Sequence, residues 1–215
     1  MTGARMGAII RGNIMEKKII STKVLTKKSV LGKIIDRTLR ARSTDLTRYF
    51  LTLGYWDHDN KALVATDGRR LHILQGGDLN DLFSDITENC FIERQGDMVI
   101  LYDKSFGQFP NWQRVTPPDD TLQKIESIEL ATYTSLSLPL DLSDKKLFSK
   151  NIAYCFFALS AAFQLEHMQD LIGGQYDLYK VCDGDKHRAH KLVEDNSAYT
   201  FTAVLMPLQP IERIF

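Results

Sequence analysis

The sequence predicts an α+β protein: antiparallel sheets with helices on one face, arranged as two reduced domains. Three observations carry that prediction. Two long segments, residues 26–42 and 151–172, have the apolar content of helices. Each is followed by short segments rich in alternating or β-branched residues and punctuated by polar turns. Between the two halves, Pro117-Pro118-Asp119-Asp120 reads as a linker, because proline stops both helix and ladder and the carboxylates favour solvent. Strands and helices segregated in this way are the pattern of α+β folds.

Residues 1–14 read as an extension without structure, since Met15-Glu16-Lys17-Lys18-Ile19-Ile20 has the look of a natural start. The first domain then runs over 15–116 and the second over 117–215. From Thr26 to Arg42, the residues Val30, Leu31, Ile34, Ile35 and Leu39 line one helical face, and Lys33, Arg37 and Arg40 share the opposite one. Arg48–Trp56 and Lys61–Leu74 alternate as strands around the polar turn Asp57-His58-Asp59-Asn60. Gly76-Gly77-Asp78 breaks the chain, and Leu79–Ile86 has room for one or two helical turns. Cys90–Arg94 and Met98–Tyr102 flank Gln95-Gly96-Asp97, a second hairpin signal.

Beyond the linker, Lys124–Leu142 favours strands. Asn151–Ile172 reads as the second helix, with Phe156, Phe157, Leu159, Phe163, Met168 and Leu171 as its apolar residues and Gly173-Gly174 as its end. Tyr176–Cys182, Arg188–Val193 and Tyr199–Leu208 read as strands.

Composition bounds the function. A chain of 215 residues with 44% hydrophobic content can build real cores. Its 27 basic and 27 acidic residues cancel, so no overall field draws it to nucleic acid or membrane. Its apolar runs fall short of the roughly 20 residues of a membrane span, and residues 1–14 hold no run long enough for a secretion signal. Cys90, Cys155 and Cys182 are few and widely spaced, which points to a reducing, cytoplasmic setting without a disulfide framework.

Three short segments stand out: Ala65-Thr66-Asp67-Gly68-Arg69-Arg70-Leu71, Phe109-Pro110-Asn111-Trp112-Gln113-Arg114-Val115 and Ala203-Val204-Leu205-Met206-Pro207-Leu208. Singly, each has an ordinary structural reading, as a hairpin turn or a core strand. Together and in this order, along with Arg48-Tyr49-Phe50-Leu51, they resemble the bacterial sliding clamp, the beta subunit of DNA polymerase III. The likeness is closest over 26–74, which is similar to the first half of the clamp's middle domain.

The resemblance implies a fold of repeats closing into a ring, no enzymatic activity and no cofactor. It also implies a hydrophobic pocket for short peptides of polymerases and repair proteins. By position, that pocket would be lined by Leu51, Thr66, Gly68, Arg69, Arg70 and Leu71, by Pro110, Arg114 and Val115, and by Val204, Leu205, Met206, Pro207 and Leu208. Leu, Val and Met supply an adaptable apolar floor, and arginines at a rim pair with carboxylates.

The chain also departs from the family. A domain that precedes this region in bacterial clamps is missing, and the stretches 74–109 and 117–150 are too short for full repeats with long helices. Arg69 stands where histidine is usual, and Gln113 where a second arginine is common. Two readings therefore stay open: a smaller clamp that closes as an oligomer, and a non-encircling adaptor or decoy that competes for clamp-binding peptides. Lys33, Arg37 and Arg40, with Lys27, Lys28 and Arg48 nearby and Tyr49 and Phe50 at positions that approach DNA in the family, are candidate contacts to duplex phosphates. A solvated helical face explains the same charges.

A rival reading rests on Cys182-Asp183-Gly184-Asp185-Lys186-His187-Arg188-Ala189-His190, where His187 and His190 with Cys182 or Asp183 form a potential metal site of an enzyme. Strand flanks argue against it, because three-residue spacing on a strand sends side chains to opposite faces. Asp67 reads as a turn residue.

Overall fold

The computed structural model describes residues 6–10, 13–129, 152–155, 161–164, 167, 169–181 and 189–207. Two compact units divide the chain: one takes residues up to Trp112 together with Asn196–Phe201, the other Gln113–Asp195 together with residues from Thr202 onward.

In the first unit, Met6–Ile10 (β1) pairs antiparallel with Asn13–Lys17 (β2), where the sequence suggests an extension without structure. Ile19–Val24 (β3) follows. The first helix, Val30–Leu39 (α1), spans its apolar residues and is shorter than the expected segment 26–42. Its start is set by Ser29, whose hydroxyl accepts the Gly32 N–H at 3.0 Å and thereby satisfies a donor that the first turn leaves open. Ile34, Ile35 and Leu39 are buried as the spacing predicts, each contributing roughly 1.5–3 kcal/mol of transfer free energy. Val30, at the helix start, stays exposed. The buried face of α1 packs on Ala62–Thr66 (β5) and Arg70–Gln75 (β6).

Arg48–Leu51 is not strand. Leu46–Leu51 forms a 3-10 turn, because the Asp45 carboxylate accepts both the backbone N–H of Thr47 at 2.9 Å and its hydroxyl at 2.7 Å. Local capping outcompetes the alternating pattern here. Strand structure begins at Gly54–Asp57 (β4), which pairs with β5 around the polar turn expected at 57–60. The stretch 61–74 is itself a hairpin, β5 pairing with β6. Gly77–Leu82 is a short helix (α2), and Cys90–Gln95 (β7) pairs with Met98–Tyr102 (β8) as the sequence predicts. Six strands of this unit are joined in the order β3-β8-β7-β4-β5-β6. Burial pushes the Cys90 thiol up to about 12, helped by Glu88, so it stays protonated and inert.

In the second unit, Leu122–Glu129 (β9) is strand, as expected. The predicted helix over 151–172 is corrected: Ile152–Cys155 (β10) and Ala161–Gln164 (β11) pair antiparallel. Its apolar residues never formed a clean helical stripe, since Phe156 and Phe157 are adjacent, and a continuous apolar run serves strand as well as helix. Gln175–Val181 (β12) pairs antiparallel with β9 and with His190–Asp195 (β13), and Thr200–Leu205 (β14) closes the order β14-β13-β12-β9. Among the described residues, no helix is long and apolar enough to cross a membrane.

Candidate peptide-binding site

The Thr66–Arg70 turn is tied internally at almost every polar atom. The Thr66 hydroxyl donates to the Arg70 carbonyl at 2.6 Å and accepts the Gly68 N–H at 3.0 Å. One carboxylate oxygen of Asp67 accepts the Arg69 and Arg70 N–H groups at 2.8 and 3.0 Å. Its other oxygen lies 3.1 Å from Arg70 Nε, in a pair largely shielded from solvent. Asp67 is thus the turn residue that the sequence suggests. Gly68 turns the chain at φ +91°, where an L side chain is strained.

Two arginines tie this turn to its surroundings. Arg48 donates from Nη1 to the Asp67 carbonyl at 2.9 Å, and Arg70 donates from Nη2 to the Arg40 carbonyl at 3.0 Å. Arg70 is 8% exposed and contributes to the fold; Arg69 faces solvent. Leu51 and Leu71, at 4% and 3% exposed, are core residues.

The segment that carries Pro110 is strapped to the first unit by aromatic rings. Phe106 meets Tyr49 edge-on at 5.5 Å and Phe91 at 5.2 Å. Phe109 stacks on Tyr55 with ring centroids 4.6 Å apart and planes 4° apart. Trp112 Nε1 donates to Asp57 Oδ2 at 2.9 Å. Pro110 itself is exposed. The sequence does not single out Tyr55, Asp57 or Trp112, although the indole of Trp112 in the polar stretch Phe109–Val115 is a signal for it.

Arg114 ends a 3-10 turn at Trp112–Arg114 and is exposed, and Val115 is 57% exposed. At the end of β14, Val204 and Leu205 are buried, Met206 is 45% exposed and Pro207 is buried. Leu208 lies outside the described residues.

The basic face of α1 is uneven. Lys27, Lys28, Lys33 and Arg40 are exposed, as is Arg48 beyond the helix. Arg37 is half-buried, with its guanidinium over the Phe201 ring. Tyr49 and Phe50 are half-buried and pack edge-to-face at 5.6 Å. Of the rival metal cluster, 182–188 lies outside the described residues, while His190 is buried. Among the described residues, no group of three His, Cys, Asp or Glu side chains is arranged to hold a metal.

Neither a protein-family model nor a curated protein matches the chain. Solved structures do. The DNA polymerase III subunit beta of Borrelia burgdorferi, in complex with a natural product, aligns at TM-score 0.50 and 15% identity, over 90% of this chain and 64% of that one. The DNA polymerase III beta subunit of Thermotoga maritima aligns at TM-score 0.50 and 15% identity, over 90% of this chain and 66% of that one. The chain therefore spans just under two thirds of the length of these neighbours. At such identity the likeness is one of fold, and the fold of this chain is that of the bacterial sliding clamp, the beta subunit of DNA polymerase III.

Proposed function

We propose that this protein is a sliding-clamp-like accessory factor of DNA replication or repair that holds partner proteins through short peptide motifs. The observation that supports this reading is the exposure of apolar side chains, Met206 and Val115, within segments whose sequence resembles those of the clamp's peptide pocket, on a chain with the clamp fold. Exposed Arg69 and Arg114 supply charges for a partner's carboxylates or carbonyls. Leu51 and Leu71 in the first unit, and Val204 and Leu205 in the second, are buried apolar residues of the same proposed set.

No bond is made or broken in such a role. Holding a partner near its template raises effective concentration, and the gain depends on geometry rather than on chemistry. The proposal extends to sequence-independent DNA contact by Lys27, Lys28, Lys33, Arg37, Arg40, Arg48, Tyr49 and Phe50, and to a cytoplasmic setting. Titrating a clamp-binding peptide into the purified protein tests the peptide role. Sedimentation separates the two forms of it: a stable closed oligomer is expected for a ring, and a monomer at micromolar concentration for a non-encircling adaptor.

A further inference from the structure

We propose that Trp112 is a positioning residue for peptide binding, its indole N–H latched by Asp57 so that the segment bearing Pro110 is held in one place. The proposal rests on the peptide-binding reading above and names a residue that reading does not use.

Three aromatic residues at three-residue intervals, Phe106, Phe109 and Trp112, fasten this segment. Phe106 and Phe109 are buried at 4% and 8% and are seated on Tyr49, Tyr55 and Phe91. The residues between and beyond them, Pro110, Asn111, Gln113, Arg114 and Val115, face solvent. The segment thus presents one set of side chains outward because the other set is pinned.

Trp112 is the last pin, two residues after Pro110 and two before Arg114. It is half-buried, so packing alone holds it less firmly than its two predecessors. What it adds is direction. An indole N–H donating to a carboxylate at 2.9 Å is charge-assisted and fixes the plane of the ring. The acceptor is itself fixed. Asp57 is 8% exposed, and its two oxygens also take the Asn60 N–H at 3.1 Å and Asn60 Nδ2 at 2.9 Å. A carboxylate locked into the β4–β5 turn needs no reordering to receive the indole, which lowers the entropic cost of the latch. Phenylalanine at position 112 would retain most of the packing and lose the donor.

The experiment uses the full chain with its tryptophans labelled with nitrogen-15. Of its two indole signals, one belongs to Trp56, which is 1% exposed and serves as an internal reference. Trp112→Phe identifies the other by its disappearance. Asp57→Asn is expected to move the Trp112 signal; an unmoved Trp112 signal would overturn the latch. A clamp-binding peptide is then titrated into the wild type and Trp112→Phe, both confirmed folded by the Trp56 signal. The variant is expected to bind about fivefold more weakly, the effect of losing one hydrogen bond's worth of order. Adding Asp57→Asn to it is expected to weaken binding no further. Equal affinity of wild type and Trp112→Phe would overturn the positioning role. A wild type that binds no peptide would overturn the peptide reading and the positioning role with it, while the indole shift would still decide the latch itself.

Discussion

The guanidinium of Arg37 stands over the ring of Phe201, its central carbon 4.4 Å from the ring centroid. The same ring meets His72 edge-on at 5.2 Å, and the Arg37 carbonyl lies 3.2 Å from His72 Nδ1. A residue that helical periodicity assigns to a basic outer face is therefore a clasp on the chain's return segment. Arg37→Ala is expected to cost about 1 kcal/mol or more through the lost cation–π contact and stem packing. Lys33→Ala, on the exposed part of the face, should fall within about 0.5 kcal/mol of wild type. Urea unfolding checks both.

The same asymmetry bears on DNA. If the face contacts phosphates, Lys28→Glu and Lys33→Glu should weaken retention of duplex DNA at low salt and flatten its salt dependence, with unfolding midpoints unchanged. Filter binding across a salt series reads the slope.

His72 supplies a pH dependence. Burial, first, and the charges of Arg70 and Arg37, second, hold its imidazole down to about 3, against the donation to the Arg37 carbonyl. Between the ordinary value near 6.5 and that depressed one, the unfolded chain takes up a proton that the folded chain refuses. Stability is thus fully present above pH 6.5 and falls as the pH drops through this window. Relative to pH 7.5, wild type should lose roughly 2 kcal/mol more than His72→Gln on going to pH 5. Parallel losses would show that His72 is not held neutral.

Two glycines separate strain from collision. A Cβ on Gly68 would meet only the flexible end of Arg48, at 3.0 Å, so Gly68→Ala should cost about 1 kcal/mol for its positive φ. At Gly76, φ is +149° and a Cβ would lie 2.5 Å from the Ala198 carbonyl oxygen, which is backbone and cannot swing aside. Gly76→Ala should therefore cost about 2 kcal/mol or more, read by chemical denaturation.

What could be read in the sequence follows from how local each signal is. The hairpins at Asp57–Asn60 and Gln95–Asp97 were legible because turn chemistry is confined to a few residues. The α1 face was legible from its period. Asp45 capping Thr47 is equally local and prevails in the fold, but in the sequence the alternation of the residues after it masks the cap. The segment 151–172 is not legible as strand because its apolar residues lack a period, and pairing of Ile152–Cys155 with Ala161–Gln164 is decided by contacts that the pattern does not encode. At the candidate site, the Thr66–Arg70 turn and exposed Met206 were within reach of motif reading. The partners Arg37–Phe201 and Asp57–Trp112, separated by 164 and 55 positions, were not.

The central claim, that this clamp-fold chain docks short peptides, is tested most directly by calorimetric titration of a clamp-binding peptide into wild type and Met206→Ala. Met206 is the informative position because it is 45% exposed, whereas Leu71 is 3% exposed and Leu71→Ala would lose about 2–5 kcal/mol of stability whatever it does to binding. The expected result is saturable binding by wild type, weakened about tenfold by Met206→Ala with an unchanged unfolding midpoint. A folded wild type that binds no such peptide, or a variant that binds as well as wild type, would contradict it.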